Sequence, residues 1–360
     1  MTRVVSAVTT LPPRRYEQAQ ITAAVTEWLA LSGSKQAALE RFHTASGVRS
    51  RHMVLPLERY GKLSGFGEAN DAFLAGAVEL GEHAVKAALG QVGLAPDDVD
   101  VLMTVSVTGL GVPSIDARLV TRLGLRDDVR RIPVFGLGCV AGAAGVARLH
   151  DILRGDPNGV AVLLAAELCS LTVQRDDDSP ANMVASALFG DGVAAVVLAG
   201  ATRASQLGLP GPDVMATRSR FYPDTERVMG WDVGGSGFRI VLAASVADIV
   251  ETYLGEDVRG FLAANGLQLV DIRRWIAHPG GPRVLEAVAR ALELRDGELA
   301  VTWQSLADVG NLSSASVLHV LSRTLDGTPP EPGSAGMLFA MGPGFCSELV
   351  LLRWPTQVAA

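Results

Sequence analysis

Residues 134–145, VFGLGCVAGAAG, constrain this chain more than any other stretch. An apolar run at 132–135 reads as a strand, and Gly136 and Gly138 break it. Cys139 then stands in the first turn of a helix that opens with Val140, Ala141, Gly142, Ala143, Ala144 and Gly145. A helix with so little side chain on any face is stable only where other backbone packs closely against it. The stretch therefore demands a buried central helix. A cysteine at a helix N-terminus feels the positive end of the macrodipole, which favours thiolate. The position suits a small core residue equally well, so the local pattern leaves nucleophile and core residue both open.

Residues 136–141 also fit the dinucleotide fingerprint G-x-G-x-x-A, placed after a strand and opening a helix. That fingerprint wants an acidic residue about 20 positions on, at the end of the next strand. The next strand, 160–166, reaches its acid only at Glu167, too late for that spacing. A nicotinamide-dependent dehydrogenase is the weaker reading.

With 360 residues, 48% hydrophobic and 19% charged, the chain can bury a large core as two domains or one large α/β unit. A net charge of −7 argues against nucleic acid or an anionic membrane as the main partner. The three cysteines, Cys139, Cys169 and Cys346, lie far apart with no metal-ligand spacing. They point to a reducing compartment and to no metal site. The N-terminal apolar stretch is too short for a signal peptide, and no apolar run is long enough to span a bilayer. The expectation is a soluble cytoplasmic protein.

Along the chain, strands are expected at 4–10, 99–107, 160–166, 193–198, 275–277, 336–341 and 346–354. The apolar runs at 99–107 and 160–166 are of the kind buried on both faces of a sheet. Helices are expected at 21–30, 36–44, 68–89, 115–123, 181–189, 247–265 and 283–294, and from Cys139 to Leu153. Arg49, Arg51 and His52 read as an exposed basic turn, residues 190–192 as a turn, and 221–238 as irregular glycine-rich chain. Composition shifts at 199–212, the best candidate boundary.

Three features recur in the same order in the two halves. Gly138–Ala143 matches Gly310–Ala315 as a turn, a polar residue and a small-residue helix. The strand-loop-helix after Val107 precedes Cys139 much as the one at His278 precedes Asn311. Leu188-Phe189-x-x-Gly192 is echoed by Leu338-Phe339-x-x-Gly342. A duplicated α/β half would place Cys139, His278 and Asn311 around one pseudo-two-fold axis, converging on one pocket. The G-x-S/C-x-G elbow of serine-type hydrolases is absent, since Leu137 and Ala141 flank Cys139.

VFGLGCVAG, ALFGDG, WIAHPGGP, GNLSSASVL and the closing GPG resemble the type III polyketide synthases of the chalcone synthase superfamily. The resemblance runs from about residue 3 to the last strand. It is strongest to actinobacterial makers of long-chain α-pyrones, through Arg122–Leu125 and Met229–Gly234. It implies an α/β, thiolase-like αβαβα five-layer fold from two duplicated halves, 1–200 carrying the cysteine and 213–360 carrying histidine and asparagine. It also implies a homodimer that needs no cofactor beyond its CoA-thioester substrates, acyl-CoA and malonyl-CoA.

By that resemblance Cys139 takes the starter acyl group, and His278 raises its thiolate fraction as an ion-pair partner. His278 and the Asn311 amide would hydrogen-bond the malonyl thioester carbonyl and stabilise the enolate left by decarboxylation. Phe189 and Phe238 match the family's gate aromatics. Val107, Thr108, Cys169, Thr172 and Ser313 match positions lining the acyl cavity. Val112 matches the loop that reaches into the partner's cavity, and Arg51 a residue gripping CoA phosphate.

Small residues at these positions favour a long aliphatic starter and an alkyl α-pyrone product. A resorcinol- or chalcone-type product and a ketoacyl-synthase-like condensing enzyme are the alternatives. The stretch Ala340-Met341-Gly342-Pro343-Gly344 departs from the family's G-F-G-P-G.

Overall fold

The structure, a computed structural model, describes residues 1–356. The first half runs β1 (Thr2–Thr10), β2 (Arg14–Glu17), α1 (Gln18–Trp28), α2 (Gly33–Ala45), β3 (Ser50–Met53), α3 (Leu57–Tyr60) and α4 (Phe66–Gly90). It continues through β4 (Val101–Ser106), α5 (Ile115–Leu123), β5 (Arg130–Phe135), α6 (Ala141–Gly155), β6 (Val160–Leu168), α7 (Pro180–Leu188), β7 (Asp191–Gly200) and α8 (Ala201–Gln206). The second half runs β8 (Asp213–Phe221), β9 (Met229–Gly234), β10 (Gly237–Leu242), α9 (Val246–Ala264), β11 (Ile272–Ala277) and α10 (Pro282–Ala291). It closes with α11 (Ala300–Val309), α12 (Ser314–Asp326), β12 (Ala335–Gly342) and β13 (Cys346–Arg353).

The main sheet is ordered β11-β12-β13-β8-β1-β7-β6-β4-β5. Its two ends repeat one pattern. Parallel β4 and β6 continue into antiparallel β7 and β1; parallel β11 and β12 continue into antiparallel β13 and β8. The halves join where β1 pairs β8 at only Thr2–Val214 and Arg3–Asp213. The Arg3–Asp213 ion pair, at 2.8 Å, closes the seam.

Three apolar clusters separate the layers. The first holds α1, α4 and α5 on the outer face of the first half-sheet. The last holds α9 and α10 on the outer face of the second. Between them α6 and α12 pack against strands of both halves. This is the thiolase-like α/β arrangement.

Strand β6 shows how the layers are written in the residues. Its period of two sends Val160, Val162, Leu164, Ala166 and Leu168 outward and Ala161, Leu163 and Ala165 inward onto the central helices. The inward face is smaller because α6 lies close. A side-chain carbon on Gly145 would fall 2.5 Å from Leu163, and one on Gly142 would fall 2.3 Å from the Ser314 carbonyl oxygen of α12. The two small-residue helices therefore meet backbone to backbone, which meets the demand of residues 140–145.

Several expectations change. Residues 190–192 are not a turn: Asp191 begins β7 and is fully buried, because it pairs with Leu168 of β6. Residues 221–238 are not all irregular. A hairpin, β9–β10, crosses them, with Gly234 opposite Gly237 and Gly235-Ser236 at its tip. The glycines hide its strand character but supply the turn, Gly237 standing at φ +102°. Two of the three repeats hold, β4 with β11 and α6 with α12. The third does not, because Phe189 ends α7 while Phe339 lies inside β12. Arg51 is no part of an exposed turn; it is buried on β3, paired with β2. No helix among the described residues is long and apolar enough to cross a membrane.

Candidate active site

Cys139, His278 and Asn311 line a single cavity of about 430 Å3, with Val107, Cys169, Phe189 and Ser313. Each catalytic candidate is delivered by the end of an element. Cys139 sits in a single tight turn, Gly138–Val140, that leads into α6. Gly138 has φ +58°, and a side chain there would strike the Pro343 ring at 2.5 Å. His278 follows β11, its backbone N–H donating to the Phe339 carbonyl at 3.1 Å. Pro279, Gly280 and Gly281 then break the strand, and Gly281 opens α10 at φ +141°.

Asn311 lies between α11 and α12, in a bridge to Phe189 that ties the two halves together. Its N–H donates to the Leu188 carbonyl at 2.8 Å, and its own carbonyl accepts from Gly190 N–H at 2.9 Å. The side-chain oxygen of Asn311 accepts from Ser313 N–H at 2.8 Å and from the Ser316 hydroxyl at 3.2 Å. With Oδ1 so occupied, the amide group is left as the donor end. It makes one long contact, 3.5 Å, to the Gly280 carbonyl. The turn that holds it is strained: Ser313 is a non-glycine residue at φ +50°.

Burial pushes the Cys139 thiol up to about 12; the buried Glu167 carboxylate adds to this and a 3.8 Å hydrogen bond to the Ser313 hydroxyl opposes it. Burial also pushes His278 down to about 4. A lone thiolate and a lone imidazolium are thus both disfavoured here. A charge-separated form would be stabilised here only as a pair, each ion offsetting the other's desolvation. Replacing His278 by alanine is therefore expected to slow iodoacetamide alkylation of Cys139 at neutral pH by about tenfold, roughly 1.4 kcal/mol of thiolate stabilisation. An unchanged rate would mean that the helix terminus alone activates the sulfur.

The other expected site residues separate. Thr108, Thr172 and Phe238 line a second cavity, of about 460 Å3, with Trp28, Tyr60, Phe66 and Gln174. Phe238 is held there by an edge-on contact with Phe66, ring centres 5.2 Å apart, and by Trp231. A slot of about 20 Å3 lies between the two cavities, lined by Arg51, Cys169, Thr172, Phe189 and Trp231. Val112 lines none of them and is fully exposed in the single chain.

Arg51 is not at the mouth of any cavity: its side chain is 3% exposed, and Nη1 donates to the Phe189 carbonyl at 2.7 Å. A guanidinium enclosed in this way does not fit the expected contact with a CoA phosphate. Arg283 is instead the arginine lining the Cys139 cavity, and it is exposed.

The sequence reading passed over Glu167 as a site residue. It is fully buried and accepts hydrogen bonds from Thr108 Oγ1 at 2.8 Å, Val107 N–H at 3.2 Å, Ser106 Oγ at 3.3 Å and Ser314 Oγ at 2.5 Å. The carboxylate so joins the loop after β4 to the start of α12. Its signal was available, a single charged residue in the nine-residue apolar strand VAVLLAAEL. The cavity wall built by β10, from Ile240 onward, had no signal beyond the hairpin that glycine concealed.

Comparison with known proteins agrees with this architecture. Residues 4–203 match the model of the chalcone and stilbene synthase N-terminal domain, and residues 213–355 that of the C-terminal domain. A 1,3,6,8-tetrahydroxynaphthalene synthase of Streptomyces peucetius subsp. caesius is 54% identical over 98% of this chain and 93% of its own. A phloroglucinol synthase of Pseudomonas fluorescens is 30% identical over 89% of this chain and 90% of its own. The crystal structure of 1,3,6,8-tetrahydroxynaphthalene synthase from Streptomyces coelicolor superposes with a TM-score of 0.92 at 30% identity, covering 98% of this chain and 99% of that one. With thiol, imidazole and carboxamide gathered at the meeting of two duplicated halves, the chain belongs to the chalcone and stilbene synthase family and is a type III polyketide synthase, an acyl-transferring condensing enzyme.

Proposed function

We propose that the Cys139 cavity builds a polyketide from malonyl-CoA and releases it as a hydroxylated naphthalene. The observation that carries the chemistry is the convergence of Cys139, His278 and Asn311 on one cavity. The Cys139 thiolate attacks the thioester of the starter, and CoA leaves as its thiol, taking the proton held by His278. Malonyl-CoA then loses CO2. The oxygen of the resulting enolate accepts hydrogen bonds from His278 and from the Asn311 amide, whose orientation Ser313 and Ser316 fix. The carbanion attacks the acyl-Cys139 carbonyl, releasing the sulfur and lengthening the chain by two carbons.

Malonyl-CoA as both starter and extender is supported by the relatives named for tetrahydroxynaphthalene formation. A ten-carbon naphthalene equals five malonyl units, each stripped of one carboxyl. A second reading, a long fatty acyl starter and an alkyl α-pyrone, is favoured by the aliphatic lining of the cavity, where Val107, Val241, Leu242, Val246, Val250 and Val288 stand. Arg283 meets the CoA phosphates in either case. The active form is a homodimer in which a partner covers the exposed Val112, and the two repeated halves, 1–200 and 213–360, act as one unit.

Product mass decides between the starters. Malonyl-CoA alone is expected to give a ten-carbon polyphenol. No product without an added fatty acyl-CoA, and alkylpyrones with one, would overturn that reading in favour of the second. Asn311→Ala is expected to lower malonyl-CoA decarboxylation by about 10²-fold, the usual effect of losing one oxyanion donor, measured as CO2 release. A parent-like rate would remove Asn311 from the mechanism.

A further inference from the structure

Arg51 is a cation sealed inside the protein, and the mechanism above makes no use of it. Burial lowers its pKa to about 10, against the opposing pull of the Asp191 charge, so it stays charged at neutral pH. Among the described residues its Nε and Nη2 have no hydrogen-bond partner. Keeping a guanidinium in such a place is costly, and what it touches shows where that cost is used.

Its stem passes between the two glycines that flank the bridge carrying Phe189 and Asn311. A side-chain carbon on Gly190 would stand 3.4 Å from Arg51 Cγ, and one on Gly310 3.0 Å from Arg51 Cδ. Nη1 bonds the Phe189 carbonyl at 2.7 Å, in the middle of the bridge. The strand that carries Arg51 is itself fastened to the segment leading to Asn311. Arg49 N–H donates to the Ala307 carbonyl at 2.7 Å, and the Ser50 hydroxyl to the Asp308 carbonyl at 2.9 Å. The start of β3 and its arginine thus tie the segment that leads into Asn311, at Ala307, Asp308 and Gly310, to the facing Phe189 and Gly190.

We propose that Arg51 is a positioning residue: wedged between Gly190 and Gly310 and bonded to the Phe189 carbonyl, it sets where the Asn311 amide stands for malonyl decarboxylation. The inference rests on the role given above to Asn311. Among the described residues no hydrogen bond joins Arg51 to the turn before α6 or to the end of β11, which deliver Cys139 and His278, so their reactivity is expected to be independent of it.

The test separates two chemical half-reactions in Arg51→Met and Arg51→Lys, with Asn311→Ala beside them. Arg51→Met is expected to lower CO2 release from malonyl-CoA by about tenfold or more, as a displaced catalytic group does. Its iodoacetamide alkylation of Cys139 stays within about twofold of the parent, and the loss falls on kcat with KM for malonyl-CoA moved by less than about threefold. Arg51→Lys, which keeps a charge and a donor, recovers part of the decarboxylation; should the methionine variant fail to fold, the lysine variant carries the same comparison against the parent. Parent-like decarboxylation in the folded Arg51 variants beside a disabled Asn311→Ala overturns the inference alone. Equal losses of alkylation and decarboxylation overturn it too, because they mark general damage. Parent-like decarboxylation in Asn311→Ala overturns the role of Asn311 and this inference with it.

Discussion

Cys139→Ala is expected to abolish product formation, a loss of at least about 10³-fold, while malonyl-CoA decarboxylation continues. The two halves of the reaction use different atoms. In the proposed mechanism the sulfur accepts the starter, and the donors assigned to the enolate, His278 and Asn311, come from the second half and are expected to keep their places when the sulfur is removed. Quantifying acetyl-CoA and polyketide by mass spectrometry in one incubation reads both. Cys169 is the internal control. It lines the same cavity, but burial and the nearby Glu167 and Asp191 carboxylates push its thiol well above the ordinary range. It also lies beyond the end of β6 and not at the start of a long helix. Cys169→Ala keeps turnover within about tenfold of the parent, the scale of a cavity-shape effect. A dead Cys169→Ala beside an active Cys139→Ala would exchange the two assignments.

Gly142→Ala is expected to destabilise the protein by about 3 kcal/mol, at the upper end for overpacking. Its new carbon would stand 2.3 Å from the Ser314 carbonyl oxygen, which belongs to α12 and has no free rotation with which to yield. The helices must separate, and with them the turns that carry Cys139 and Ser313. Gly155→Ala, at the other end of α6, meets nothing within 4 Å. That change is expected to be neutral or to stabilise by up to about 1 kcal/mol through the unfolded chain. Thermal melting of the two variants side by side checks the pair; equal melting temperatures would mean that α6 and α12 are not in backbone contact.

Period and punctuation made much of the frame legible. The strands at 101–106 and 160–168 announce themselves as mostly apolar runs, and α4 and α5 follow their expected bounds within a few residues. The small-residue helix announced its own burial. Where glycine serves two purposes, reading failed. In β9–β10 it forms a turn that masks flanking strands, and around Asp191 the pattern Gly-Asp-Gly resembles a turn although pairing with β6 keeps it extended. Arg51 misled for a related reason. An arginine among polar neighbours reads as surface, and only the facing elements show it enclosed by Phe189, Gly190 and Gly310.

The chain alone determined that a nearly bare helix had to be buried, that two halves repeat, and that cysteine, histidine and asparagine each stand at the end of an element. These are local properties, carried by side-chain size and spacing along a few turns or one strand. Packing alone decided that the three share a cavity, that Phe238 and Thr108 face a different one, that Glu167 links the loop after β4 to α12, and that Arg51 is internal. Each of those facts depends on segments far apart in sequence brought within hydrogen-bonding reach. No local pattern encodes such a distance; it is fixed only when α6 and α12 close on each other between the two half-sheets.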